Sequence, residues 1–106
     1  MTPSHLYVLT ALSKGTLHGL GISDRVAEVT RGRVLVGPGT LYRALKELDA
    51  DGLIERVEVE NGEAHRKYYA LTMLGRERLS DHLEMLRALV ATGQKGLRRL
   101  DVQGAT

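Results

Sequence analysis

The stretch GPGTLYRALKELDADGLIERVEVENGEAHRKYYALT, residues 37–72, decides the fold. Gly37-Pro38 opens a helix, because proline is preorganised for the first helical position and glycine is tolerated at the cap before it. Leu41, Leu45 and Leu48 recur at helical spacing, while Arg43, Lys46, Glu47 and Ala50 fall away from that face. Gly52 ends the run. Two extended patterns follow, Leu53–Glu60 and Ala64–Thr72, joined by Asn61-Gly62, the strongest short hairpin signal. A strict two-residue turn sets Glu60 opposite Glu63 and Arg56 opposite Lys67, two like-charge pairs. A bulged three-residue loop avoids both, so the pairing register stays open.

Working outward, Leu6, Leu9 and Leu12 mark a first helix from about Ser4 to Lys14. Thr2-Pro3 is one start for it and Ser4 the competing cap, with Gly15 beyond its end. A second helix runs from Gly19 to Thr30 on an Ile22, Val26 and Val29 face, and Gly32 closes it. Val34-Leu35-Val36 is short and β-branched, which predicts a strand. Leu79, Leu83, Leu86, Val90, Gly93, Leu97 and Leu100 then form a heptad seam, widened by Met85 and Leu89. Gly93 and Gly96 each cost about 1 kcal/mol inside a helix, so the last helix is expected to continue, break or fray there. Val102 to Thr106 reads as a mobile tail.

The 106 residues suit one domain. A charged fraction of 26% and a hydrophobic fraction of 42% exclude collagen-like, disordered and membrane-spanning classes for the bulk of the chain. No export leader is recognisable, which makes a cytoplasmic protein away from any membrane the expectation. The lack of Cys excludes disulfides and thiolate metal sites. Without Trp or Phe, the core must come from Leu and Val. The net charge of +2 is compatible with a nucleic-acid partner and does not demand one. The four His are scattered, with no His-x3-His pair, and no triad or nucleophile elbow is spaced in the chain. Gly37-Pro38-Gly39-Thr40 lacks the Lys of a phosphate loop. No enzyme, metal or cofactor is expected.

The order helix, helix, short strand, helix, hairpin, long helix is that of a winged helix-turn-helix. The expected fold is mainly α (α+β), with a two-stranded wing and a long C-terminal dimerisation helix. Residues 1–73 make the DNA-binding domain, 74–101 the dimerisation helix and 102–106 the tail. A helix fits the major groove of B-form DNA with its first turns nearest the base edges. Pro38, Gly39, Thr40, Tyr42, Arg43 and Lys46 lie there, and His65, Arg66, Lys67 and Tyr68 lie on the returning wing strand. The bland alternatives are a solvated helix face with Tyr42 partly in the core, and wing cations paired with Glu55, Glu58 or Glu60. His18 is read as a cap or packing residue at the start of the second helix. Leu79, Leu83, Leu86, Val90 and Leu97 would pair two subunits.

The chain also resembles a known family. Leu17-His18-Gly19-Leu20-Gly21-Ile22, Gly37 to Leu45, Gly52-Leu53-Ile54-Glu55, Arg66-Lys67-Tyr68-Tyr69-Ala70-Leu71-Thr72 and Gly75 together look like the PadR family of transcriptional regulators, over roughly residues 5–90. The family has Tyr and Glu where this chain has Leu20 and Gly21, so a contact made through that Tyr does not carry over. It has Ser where this chain has Gly37. The resemblance implies a short, single-C-terminal-helix regulator: a homodimer that represses transcription and is often released by a small molecule. Double-stranded DNA, read as a pseudo-palindrome, and a second copy of the chain are the expected partners. A small hydrophobic effector would sit in an aliphatic pocket at the dimer interface, lined by residues such as Leu6, Leu9, Met85 and Leu89. The rival reading is a winged-helix protein-interaction module.

Overall fold

The computed structural model describes residues 1–60 and 66–104. Helix α1 spans Pro3–Leu12 and strand β1 Leu17–His18. Helices α2 and α3 span Gly19–Val29 and Pro38–Ala50. Strands β2 and β3 are Ile54–Val57 and Tyr68–Leu71, and helix α4 is Met73–Gly104. Thr2 caps α1, its hydroxyl accepting the His5 N–H at 3.2 Å. The three short helices enclose a core of Val8, Leu9, Ala11, Leu12, Ile22, Val26, Leu41, Ala44, Leu45 and Leu48. Leu53, Ile54, Tyr69 and Leu79 close it from the sheet and α4, while Leu6 and Leu71 pack only partly buried at its edge. His5 Nε2 lies 3.3 Å from Glu47 Oε1, joining α1 to the solvent side of α3.

The wing is antiparallel and pairs Ile54 with Leu71, Glu55 with Ala70, Arg56 with Tyr69 and Val57 with Tyr68. This register sets Arg56 against a phenol rather than against Lys67. Asn61, Gly62, Glu63, Ala64 and His65 lie outside the described residues, as do Ala105 and Thr106.

The strand expected at Val34–Val36 does not form. That segment is the α2–α3 connection, and side chains satisfy its backbone. Thr30 Oγ1 accepts the Val34 N–H at 3.0 Å, and Ser23 Oγ donates to the Val36 carbonyl at 3.3 Å. The third strand is instead Leu17–His18, which pairs with Tyr69 and Tyr68, so the sheet order is β1-β3-β2. Val29, expected on the buried face of α2, is half exposed, because α2 is finishing where the core ends. The residue that turns left-handed just after α2 is Arg31 (φ 54°), with Gly32 following at φ 78°.

The α3–β2 turn is a Schellman closure. The Leu53 N–H reaches the Leu48 carbonyl at 2.9 Å, the Gly52 N–H reaches Asp49 at 3.0 Å, and Gly52 supplies the positive φ that the turn requires. Helix α4 is fastened to this turn. Thr72 N–H donates to the Leu53 carbonyl (3.1 Å), Thr72 Oγ1 donates to the Gly52 carbonyl (2.6 Å) and also accepts the Gly75 N–H (3.0 Å). A Cβ on Gly75 would collide with the Leu53 carbonyl oxygen. Beyond this junction α4 runs unbroken for 32 residues, through Gly93 and Gly96. Good helix formers on both sides (Leu89, Ala91, Gln94, Lys95, Leu97, Arg98) offset the two glycines. The helix also takes in Val102 and Gly104, residues expected in the tail.

Two substitutions separate glycine at a close approach from glycine in open helix. Gly75→Ala should cost about 1–3 kcal/mol through forced displacement of α4, read as a lower urea midpoint. Gly93→Ala meets nothing within 4 Å and should raise stability by up to about 1 kcal/mol. A Gly75→Ala protein with the wild-type midpoint would contradict the packing described.

Candidate nucleic-acid interface

Helix α3 divides cleanly between two faces. Leu41, Ala44, Leu45 and Leu48 are buried, and that fixes what points outward. Pro38, Gly39, Thr40, Arg43 and Lys46 are exposed, and Tyr42 is 58% exposed rather than partly in the core. Gly37 caps α3 without a side-chain hydrogen bond. Neither Arg43 nor Lys46 is in an ion pair among the described residues, whereas Glu47, the first acid of the helix, is engaged by His5. The six residues predicted at the start of α3 therefore share one accessible surface.

A cleft of about 410 Å³ runs from this surface to the wing. Its walls are His18, Gly19, Leu20, Tyr42, Arg66, Lys67 and Tyr69. Gly19 admits the close approach of α3, since a Cβ there would stand only 3.2 Å from the Tyr42 hydroxyl. Leu20 is exposed on the opposite lip. His18 occupies the centre. Its Nδ1 accepts the Gly21 N–H at 3.1 Å, capping α2 as the sequence suggested. Arg66 and Lys67 are thus brought to the same cleft as Tyr42. Tyr68 is half-buried and meets the His18 ring edge to face, with centroids 5.5 Å apart. His65 lies outside the described residues.

The sequence reading missed Gly19, Leu20 and Tyr69 as walls of this cleft. A two-residue strand such as β1 has no period to detect. Tyr69 differs from Tyr68 only by strand alternation, which could have assigned one ring to each face. Tyr69 is buried, and burial pushes its phenol above the ordinary value near 10, with Arg56 opposing and Tyr42 and Asp49 reinforcing.

Within one subunit the residues predicted for the effector site do not share a pocket. Leu9 is fully buried in the core. Leu6 lines an apolar groove of about 210 Å³ with Tyr7, Ala11, Val26, Val29 and Leu83. Met85 borders a different hollow beside His5, Asp51 and His82, and Leu89 is exposed. The fault is angular: Met85 leaves α4 on a different side from Leu83.

The predicted dimer seam also divides. Leu79 is only 4% exposed and belongs to the subunit's own core. Leu86 is half-buried, Leu83 is partly covered by the groove it shares with α1 and α2, and Val90, Leu97 and Leu100 are exposed. Among the described residues no group of His, Asp or Glu is placed to hold a metal ion. None of their helices is long and apolar enough to cross a membrane.

The arrangement defines a winged helix-turn-helix: α2 and α3 joined by a stapled turn, with Arg66 and Lys67 of the wing in one cleft with Tyr42 of α3. Residues 8–81 match the Transcriptional regulator PadR-like family, and the chain belongs to that family. It is 35% identical over 85 residues to Transcriptional regulator Rv3488 of Mycobacterium tuberculosis, covering 79% of this chain and 76% of that protein. It is 40% identical over 76 residues (72% of this chain) to an uncharacterised 37.1 kDa protein in transposon TN4556 of Streptomyces fradiae, and spans 21% of that protein's length. A PadR family transcription regulator from Clostridium difficile R20291 superposes with a TM-score of 0.77 at 26% identity, over 91% of this chain and 99% of that one. Bacillus subtilis PadR, solved in complex with operator DNA, shares the fold (TM-score 0.64, 24% identity, 83% and 58% covered).

The Tyr69 shift carries a stability consequence of definite sign. A phenol harder to ionise when folded contributes fully below pH 10. That contribution falls as pH rises past 10, where the unfolded chain ionises first. Tyr69→Phe should therefore flatten the alkaline arm of a stability–pH profile relative to wild type. Parallel profiles above pH 10 would count against the assignment.

Proposed function

We propose that two copies of this chain pair through α4 and repress transcription by placing both α3 helices in successive major grooves of a pseudo-palindromic operator. The carrying observation is the outward face of α3. Thr40, Arg43 and Lys46 are accessible and lack acidic partners among the described residues, and Tyr42 of the same helix shares a cleft with Arg66 and Lys67. Arg43 and Lys46 offer bidentate or point-charge donors to guanine edges and phosphates, and Thr40 and Tyr42 offer hydroxyls to the backbone. Half-sites would lie about 34–36 Å apart or a multiple of that. Such a regulator acts where the chromosome is, in the cytoplasm.

Pairing rests on the α4 stripe. Leu83, Leu86, Val90, Leu97 and Leu100 follow one face of an unbroken helix that is about 48 Å long. A row of apolar side chains left in water forgoes roughly 1.5–3 kcal/mol for each large one, and a second copy of the same row removes that deficit. A small hydrophobic effector fits the groove between α1, α2 and Leu83 better than the residues first expected. Its 210 Å³ is below the ~300 Å³ of ordinary ligand pockets, so a partner's helix would have to complete the walls.

A specific observation supports the protein-interaction alternative: Glu55, Glu58 and Glu60 are exposed on the outgoing side of the wing. Salt decides between the two. Phosphate contacts make affinity fall steeply with rising salt.

Titrated against a duplex from the region upstream of its coding sequence, wild type should show such a slope. Arg43→Ala and Lys46→Ala should each weaken binding by about 1–3 kcal/mol without moving the melting temperature. Unchanged affinity in both variants would defeat the assignment. Leu97→Asp, at a position exposed in the subunit, should yield a folded monomer in sedimentation. A surviving dimer would contradict pairing through the stripe.

A further inference from the structure

We propose that His18 is a positioning residue for DNA binding, whose imidazole face carries the Arg66 guanidinium at the lip of the recognition cleft. The inference rests on the DNA-binding reading above and adds the device that aims the wing.

The geometry of the ring carries it. Arg66 Nη1 lies 3.0 Å from His18 Nδ1 and 2.9 Å from Nε2. An atom that near both nitrogens within the ring plane would overlap Cε1 between them, so the guanidinium nitrogen sits over the face. The in-plane lone pair of Nδ1 is meanwhile taken by the Gly21 N–H. The two roles therefore use perpendicular parts of one ring: the plane caps α2 and the π-face receives a cation. Tyr68 closes the assembly edge on, at an interplanar angle of 79°.

The position of Arg66 makes the contact consequential. Among the described residues the ladder between β2 and β3 pairs nothing beyond Tyr68, and Arg66 lies two residues outside it. His18 belongs to β1 and to the start of α2, so stacking ties the wing's cation to the unit that holds α3. Tyr42 and Lys67 line the same cleft. A backbone phosphate seated there would meet a guanidinium whose place was fixed before contact, which lowers the ordering cost of that bond.

The two halves of the ring can be removed separately. His18→Asn keeps a good cap acceptor and loses the face. His18→Phe keeps an aromatic face for a cation and loses the cap. Binding to a short random-sequence duplex at low salt isolates the phosphate contact from sequence readout. His18→Asn should lower affinity about two- to tenfold, the ordering cost of one side chain, with a near-wild-type melting temperature. His18→Phe should melt several degrees lower yet bind within about twofold of wild type. Arg66→Ala should lose at least as much as His18→Asn, and the double variant should be no weaker than Arg66→Ala alone. In the free protein, the Arg66 δ-methylene proton resonances should move on His18→Asn. Wild-type affinity in His18→Asn, multiplying losses in the double variant, or unmoved Arg66 resonances would each overturn the proposal. If wild type binds no duplex, the DNA reading itself fails; if it binds and His18→Asn binds equally, only the role of His18 fails.

Discussion

The burial of Leu41, Ala44, Leu45 and Leu48 against α1 and α2 is the constraint from which the rest of the molecule follows. A helix has one orientation once four residues at positions i, i+3, i+4 and i+7 are committed to a core. Here that commitment turns Gly39, Arg43 and Lys46 directly away, and sets Thr40 and Tyr42 on the two flanks. The core that enforces it contains no Phe or Trp. It is built from branched aliphatic side chains, alanines and one tyrosine. Gly75 lets the α4 backbone meet the Leu53 carbonyl, and Gly19 lets the Tyr42 side chain lie against α2.

How far the sequence could be read depended on the length over which a residue's surroundings are local. Helices α1, α2 and α3 announced themselves, because hydrophobic spacing and capping residues act within four positions. The wing was legible as a hairpin, but its register was not. Register is set by pairing between strands, and the observed choice of Arg56 opposite Tyr69 depends on Tyr69 being drawn into the core. Val34–Val36 has the composition of a strand, but the Thr30 and Ser23 side chains take up its backbone groups at Val34 and Val36, and those partners lie outside the segment's own composition.

The candidate site shows the same division. Arg43, Lys46, Thr40 and Tyr42 were legible because an exposed helix face is the complement of its buried one. The wing cations Arg66 and Lys67 were legible as types, but their convergence with Tyr42 on one cleft was not. That convergence is made by His18 and Gly19, between strand β1 and helix α2. The effector residues were grouped by apolar character, and within one subunit Leu9 is spent in the core while Leu6 and Met85 border different hollows.

The long α4 stripe gains meaning from how the helix is anchored. Its first turn is fastened to the carbonyls of Gly52 and Leu53, the residues that terminate α3 and begin β2. Leu79 then fixes the next turn into the core, and from Leu83 onward the same face continues into solvent. The end of α3 and the start of α4 are thus held together directly, through Thr72 on Gly52 and Leu53. In a pair built on α4, the separation and tilt of the two α3 helices are therefore fixed by the helix crossing and by this junction alone. A change in how two α4 helices cross would be transmitted as a rigid rotation to both recognition surfaces. A shift of one heptad along the stripe would displace each α3 by about 10 Å, a large fraction of a helical turn of DNA. Control of DNA reading through such a dimer needs no movement inside the winged unit, only a change in how the two stripes meet.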